Sequence, residues 1–203
     1  MRKFILIALV LLNTLVVVAQ PKPHVVDRAH SEINFVGEAR FLSAHGFFGQ
    51  WEADVQLDSA KIENSTLSIT IDAASLNTRV ERRDTHLRSA DFLSVEQFPK
   101  ITFASKKIER LGEKKLNVTG DFTFRGVTKE LAVPLTMLFY ENGRGRFRGS
   151  FELNRKDFGM TYNSRMNPVE DVVTVQVDIN VIDREIAQRP RPPAPPTAPP
   201  PPR

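Results

Sequence analysis

The feature that most constrains this chain is a two-residue hydrophobic alternation that returns again and again between Ile33 and Val181. Phe47, Gly49, Trp51, Ala53, Val55 and Leu57 fall on one side of an extended backbone. Leu67, Ile69, Ile71 and Ala73 repeat the pattern, as do Leu116, Val118, Gly120, Phe122 and Phe124. It returns in Leu131, Val133, Leu135, Met137 and Phe139, in Phe147, Gly149, Phe151 and Leu153, and in Val173 through Val181. Ile33 with Phe35 and Ile101 with Phe103 are shorter examples. The intervening positions are mostly Thr, Glu, Asp, Gln, Lys and Arg, so each segment has one dry face and one wet face. That pattern predicts antiparallel strands. Asp58-Ser59, Gly112, Arg125-Gly126 and Asn142-Gly143 punctuate the runs as turns.

About eight such strands close most naturally into a barrel or a tightly curved half-barrel. Glycines on the dry face, Gly49, Gly120 and Gly149, leave local space or permit sharp bends. One stretch, Asn77 to Leu93, does not alternate. Val80, Leu87, Ala90 and Leu93 are spaced as on a helix, with Asn77 or Thr78 available as a cap, so a helix is expected here, across one barrel end. It must stop before Pro99.

The two ends do not belong to this pattern. Arg2 and Lys3 precede an apolar run from Phe4 to Leu12, and Val17 and Ala19 stand at the positions of a small-residue cleavage site. Residues 1–19 therefore read as a secretory signal, leaving a domain over 20–186 and a Pro-rich disordered tail over 187–203. An uncleaved anchor is the rival reading. Its apolar run is interrupted at Asn13 and Thr14 and barely reaches the roughly 20 residues a span needs. Export to the periplasm or beyond is the expected location.

Charge and polar inventory narrow the function. The net charge of +4 shrinks to near neutrality once Arg2, Lys3, Arg189, Arg191 and Arg203 are set aside. No basic stripe remains for nucleic acid. The absence of cysteine excludes disulfides, thiolate metal sites and a cysteine nucleophile. His24, His30, His45 and His86 lack metal-ligand spacing, and no nucleophile elbow, P-loop or dinucleotide fingerprint occurs. Asp84 and His86 point apart on a helix, and Asp157 beside Arg155 reads as a strand-end ion pair. An enzyme is not expected, and neither is a metal or a resident cofactor. The dry face is instead rich in rings. Phe35, Phe47, Trp51, Phe103, Phe122, Phe124, Phe139 and Phe151, with Ile69 and Met137, either pack against one another or line a cavity. Periodicity alone leaves both readings open.

Five phrases in order resemble the YceI-like family. They are Asp27 to Phe35, Arg83 to Phe92, Phe98 to Ser105, Gly120 to Thr128 and Arg155 to Met160. The likeness departs at Leu93 and Ser94, at Phe122 and Phe124 where the family has aliphatics, and in the Pro-rich tail. The resemblance implies a lipocalin-like antiparallel barrel, all-β with one helix, enclosing an apolar tunnel for a polyisoprenoid chain. Phe122 and Phe124 would narrow or shorten that tunnel. On this reading the rings, Ile69 and Met137 line it, and Arg83, Asp84 and His86 lie near a portal, where Arg83 and His86 either meet a phosphate or quinone head or anchor the helix. His30-Ser31 and the Arg155 phrase are expected to be structural. The partners implied are a polyprenyl phosphate or isoprenoid quinone and, transiently, a membrane surface, because free lipid in water is too scarce to exchange. A homodimer is left open. The alternatives are a packed barrel serving as an envelope interaction module, and a quinone-holding accessory to a membrane oxidoreductase.

Overall fold

The computed structural model describes residues 20–189, so the stretch read as a signal and nearly all of the Pro-rich tail lie outside the described residues. In chain order the strands are β1 (Lys22–Val26), β2 (Glu32–Ala39), β3 (Leu42–Phe48), β4 (Trp51–Leu57), β5 (Thr66–Asp72) and β6 (Leu76–Asn77). Helix α1 (Glu81–Arg88) follows, then β7 (Lys100–Arg110), β8 (Lys115–Phe124), β9 (Val127–Glu141), β10 (Arg144–Asn154), β11 (Val169–Asp183) and α2 (Arg184–Ala187). All pairings are antiparallel, and β1, β4, β5, β7, β8, β9, β10 and β11 form a closed ring of eight strands. Closure leaves no sheet edge along that ring.

The first three lanes of the barrel are each built from two strands. β11 pairs with β1 through Val181↔Val26 and with β2 through Val175↔Phe35, so β1 and β2 lie end to end beside it. β3 continues into β4, and β5 into β6, in the same way. β2, β3 and β6 therefore extend one end of the barrel beyond the closed ring. The phrase around His30 and Ser31 joins β1 to β2. Ser31 Oγ accepts from the Asn180 amide at 2.8 Å, and the Asn180 side chain donates to the His30 carbonyl. Those residues are structural.

The long hairpins follow from local chemistry. Arg125-Gly126 and Asn142-Gly143 all have positive φ (49°, 73°, 49° and 68°), the two-residue geometry whose twist matches the flanking strands. Gly120 and Gly149 allow neighbouring backbone to approach. A Cβ on Gly149 would lie 2.6 Å from the Pro134 carbonyl oxygen, and one on Gly120 would collide with the Ala104 carbonyl.

Three irregularities re-aim side chains. Between Phe48 and Trp51 the chain kinks at Gly49-Gln50, which reverses the alternation. In β7 the register to β8 shifts between Ser105 and Lys107. In β9 the partner of Arg146 is Phe139 while that of Phe147 is Met137, so Leu138 is the extra residue of a bulge.

The helix is shorter than the spacing predicts. It spans Glu81–Arg88, and Ala90 and Leu93 lie in the turns beyond it. Neither Asn77 nor Thr78 caps it, because the N-cap position is Val80. The buried Asp84 carboxylate reaches back instead. It accepts from the Thr78 amide at 2.9 Å and from Thr78 Oγ1 at 2.5 Å.

Candidate functional site

Inside the barrel is a cavity of about 930 Å³. Its floor is formed by Ile62, Ile108 and Leu116, packed tightly into the core with Val118 and Val181. Below that floor His24 is buried, with Nδ1 2.8 Å from the Lys22 carbonyl and Nε2 2.9 Å from the Tyr140 hydroxyl. Burial, with a smaller contribution from Asp183, pushes the Tyr140 hydroxyl above its ordinary pKa. This end is closed.

The wall above the floor is supplied by inward positions of the long strands. Phe35, Ile69, Leu131, Phe151, Val175 and Val177 all line the cavity and are only half-buried, because the surface they leave uncovered faces the void. Apolar side chains that fold inward yet stay uncovered are costly unless something occupies the space between them. On one side Phe122, Phe124 and Phe158 form an aromatic block, with centroid separations of 6.1, 5.5 and 5.5 Å.

The mouth is framed by three elements: the β2–β3 tip, α1 with the turns after it, and the segment between Phe158 and Val169. Arg155 holds the third. Its side chain is 1% exposed and donates to the carbonyls of Met160 (2.6 Å), Tyr162 (2.8 Å), Glu170 (2.9 Å) and Val169 (3.1 Å), and to Asp171 (3.1 Å). The neighbouring Asp157 is not its partner. Asp157 pairs with Lys129 at 3.2 Å, since the short helix Arg155–Phe158 turns the two side chains apart.

Of the residues expected at the site, Phe35, Ile69, Phe103, Phe122, Phe124 and Phe151 line the cavity, and Arg83 and His86 stand at its mouth. Both polar groups are engaged with the protein. Arg83 Nε donates to Thr78 Oγ1 at 2.7 Å and its Nη2 to the Thr78 carbonyl at 2.8 Å. His86 Nε2 lies 2.9 Å from Asp91, and its ring sits edge-on to Phe92 and Tyr162, each at 5.0 Å. Their geometry is that of helix anchors.

Four expected residues do not line the cavity. Phe47 pairs with Asn34 on the outward face, because the kink at Gly49-Gln50 gives the inward place to Phe48. Trp51 is buried in the wall among Ile33, Ile71 and Ile101, with the Arg28 guanidinium 3.6 Å from its ring. The β9 bulge turns Phe139 to the outside, 41% exposed, opposite Arg146. Met137 packs near the closed end against a separate void of about 110 Å³. Phe48, Phe158, Met160 and Tyr162 were missed. The last three lie in or beyond a short helix, where no alternation marks them.

Among the described residues no group of three or more His, Cys, Asp or Glu is arranged to hold a metal. A closed antiparallel barrel around a large apolar cavity, entered from one end, places the molecule among the lipocalin-like cavity barrels. More narrowly, residues 24–181 match the YceI-like domain, and the chain belongs to that family. The UPF0312 protein of Pseudomonas savastanoi pv. phaseolicola is 34% identical over 154 residues, covering 70% of this chain and 78% of the relative. The crystal structure of Burkholderia cenocepacia BcnA is similar with a TM-score of 0.72 and 26% identity, over 76% of this chain and 98% of that one. A polyisoprenoid binding domain from Saccharophagus degradans, implicated in plant cell wall breakdown, shares the fold at 14% identity with a TM-score of 0.63, over 80% and 99% of the two chains.

Proposed function

We propose that the protein is an exported carrier or store for a polyisoprenoid lipid, either a polyprenyl phosphate or an isoprenoid quinone, and that it performs no catalysis. The observation carrying this reading is the cavity: about 930 Å³, walled by uncovered Val, Ile, Leu and Phe side chains. That volume lies toward the upper part of the roughly 300–1,000 Å³ range of small-molecule sites. A methyl-branched chain suits such a wall because its branches fit between β-branched and aromatic side chains. Burial gains about 0.8 kcal/mol per methylene-sized group, so several isoprene units gain on the order of 20 kcal/mol gross. Chain ordering and the practical limit on affinity reduce that considerably. The polyisoprenoid-binding neighbour from Saccharophagus degradans supports the same ligand class. A packed barrel acting only through its surface is disfavoured by a void of this size, since close-packed interiors leave few spaces larger than a water molecule.

The test is mass spectrometry of an organic extract from protein purified without detergent. Roughly stoichiometric recovery of a prenyl lipid is expected, and its head group distinguishes quinone from phosphate. A blank extract, repeated after incubation with vesicles containing each candidate lipid, would refute the proposal.

A further inference from the structure

The mouth of the cavity is also where the molecule leaves its most exposed apolar side chains. Met166 is 83% exposed and Phe41 72%, the two highest values among the large hydrophobics of the described residues. Leu42 (42%) and Val80 (48%) add to them and line the cavity entrance. The segments carrying Phe41 and Met166 are fastened together. The Phe41 amide donates to Asn167 Oδ1 at 3.2 Å, the Arg40 amide donates to the Pro168 carbonyl at 3.0 Å, and Ala39 pairs with Val169. Phe41 and Met166 therefore project from a braced rim.

That rim is basic. Arg40, Arg82 and Arg165 are exposed on the three mouth elements, and Arg79 is exposed just before α1. Among the described residues none of the four forms an ion pair. The Arg40 guanidinium lies 5.3 Å from the Phe41 ring. The acidic groups on the same elements are Glu38, Glu81, Asp84, Asp91 and Glu96, of which Asp84 is buried against Thr78 and Asp91 lies 2.9 Å from His86. Ser43 donates to Glu38, and Glu81 lies 3.6 Å from Arg88. Among the other described lysines and arginines about half are matched with carboxylates, as in Arg146 and Arg148 with Asp178. Unpaired guanidinium groups around protruding Phe, Leu, Val and Met side chains match an anionic bilayer, with apolar tips for the acyl boundary and arginines for the phosphates.

We propose that this rim docks the protein on an anionic membrane surface, so that the cavity mouth opens directly against the lipid. The inference deepens the carrier reading, and rests on it only for the purpose of docking. A lipid leaving the bilayer then enters the barrel between Leu42, Val80 and Arg82 without crossing water.

Flotation of the full chain with vesicles tests this, using phosphatidylglycerol mixed with phosphatidylcholine against phosphatidylcholine alone. Wild-type protein is expected to prefer the anionic vesicles and to lose that preference in high salt. Each removed arginine, in Arg40→Gln and Arg165→Gln, should weaken binding by about fivefold. The double variant Phe41→Ser with Met166→Ser should weaken it by at least about tenfold. Leu111→Ser, at an equally exposed leucine (68%) on the β7–β8 turn, should leave it unchanged. Wild-type flotation by the rim variants would overturn the proposal, as would an equal loss from Leu111→Ser. So would a concentration-dependent dimer that the rim variants abolish, because the patch would then face a second copy. Extracted prenyl lipid is measured on the same samples. Retained lipid with unchanged flotation overturns docking alone, whereas docking without any extractable lipid overturns the carrier reading alone.

Discussion

Replacing Arg155 by methionine keeps an unbranched side chain but removes all the guanidinium donors that brace the segment leading to the mouth. Five acceptors then lose their partner: the carbonyls of Met160, Tyr162, Val169 and Glu170, and the Asp171 carboxylate. A buried acceptor left unsatisfied costs about 1–3 kcal/mol. Not all five stay dry, however. Asp171 keeps Lys156 at 2.7 Å, and Glu170 lies on an exposed stretch where water can replace the lost donor. The carbonyls of Met160 and its neighbours carry most of the penalty, so the expected loss is about 3–5 kcal/mol, the range for breaking a buried charged network. At about 2–4 °C per kcal/mol for a chain of this size, the melting temperature should fall by roughly 10 °C. Arg155→Lys should recover only part of this, because a single ammonium cannot match a planar fork spread over five acceptors. Urea titration followed by fluorescence, with the slope unchanged between variants, measures the loss. A midpoint shift worth less than about 1 kcal/mol, or a lysine variant as stable as wild type, would refute the assignment of Arg155 as the brace of the mouth.

Two further outcomes are expected. Val175→Trp extends an indole into the void from the middle of β11; displacing about two methylene-sized groups of ligand should lower prenyl-lipid retention on the order of tenfold, with little change in the melting temperature. Binding assays with a prenyl lipid check this, and unchanged retention would place the ligand elsewhere. Stability should also fall as pH drops through the acid range. Hydrogen bonding to Arg146 holds the Asp178 carboxyl below its ordinary pKa, backbone hydrogen bonds led by the Lys61 amide do the same for Asp58, and Lys156 does so for Asp171. Each contributes stability that is complete above the unfolded carboxylate value of about 3.9 and disappears as pH falls through the lower folded value. Acid unfolding monitored by circular dichroism should lose part of that dependence in Asp178→Asn.

Most of the strand framework was legible because alternation is a local property. Whether a residue lies on the dry or the wet face of a strand depends on its immediate neighbours in the chain, so the lining positions Phe35, Ile69, Phe103, Phe122, Phe124 and Phe151 could be read directly. The Arg125-Gly126 and Asn142-Gly143 turns were equally legible, as were the tight positions at Gly120 and Gly149. Phe47 and Phe139, the two that turned outward, share one cause. Phe47 precedes a two-residue kink, and Phe139 follows a single extra residue in β9. A strand's period is two, so one inserted residue exchanges its faces, and pairing with the neighbouring strand decides where that insertion falls. The helix ended early for a related reason. Its start is held by Asp84 reaching back to Thr78, and the chain beyond Arg88 follows turns packed against Tyr162 and Arg125.

The sequence alone thus established an antiparallel barrel with an apolar interior, through periodicity that each segment carries within itself. Whether that interior is filled or hollow belonged to the closed ring. The cavity depends on how far eight walls stand apart and on how their side chains interdigitate, which no single strand encodes. The exposed rim is likewise a product of assembly: Phe41, Val80 and Met166 are far apart in the chain, and only closure of the barrel around its ligand space brings them to one end.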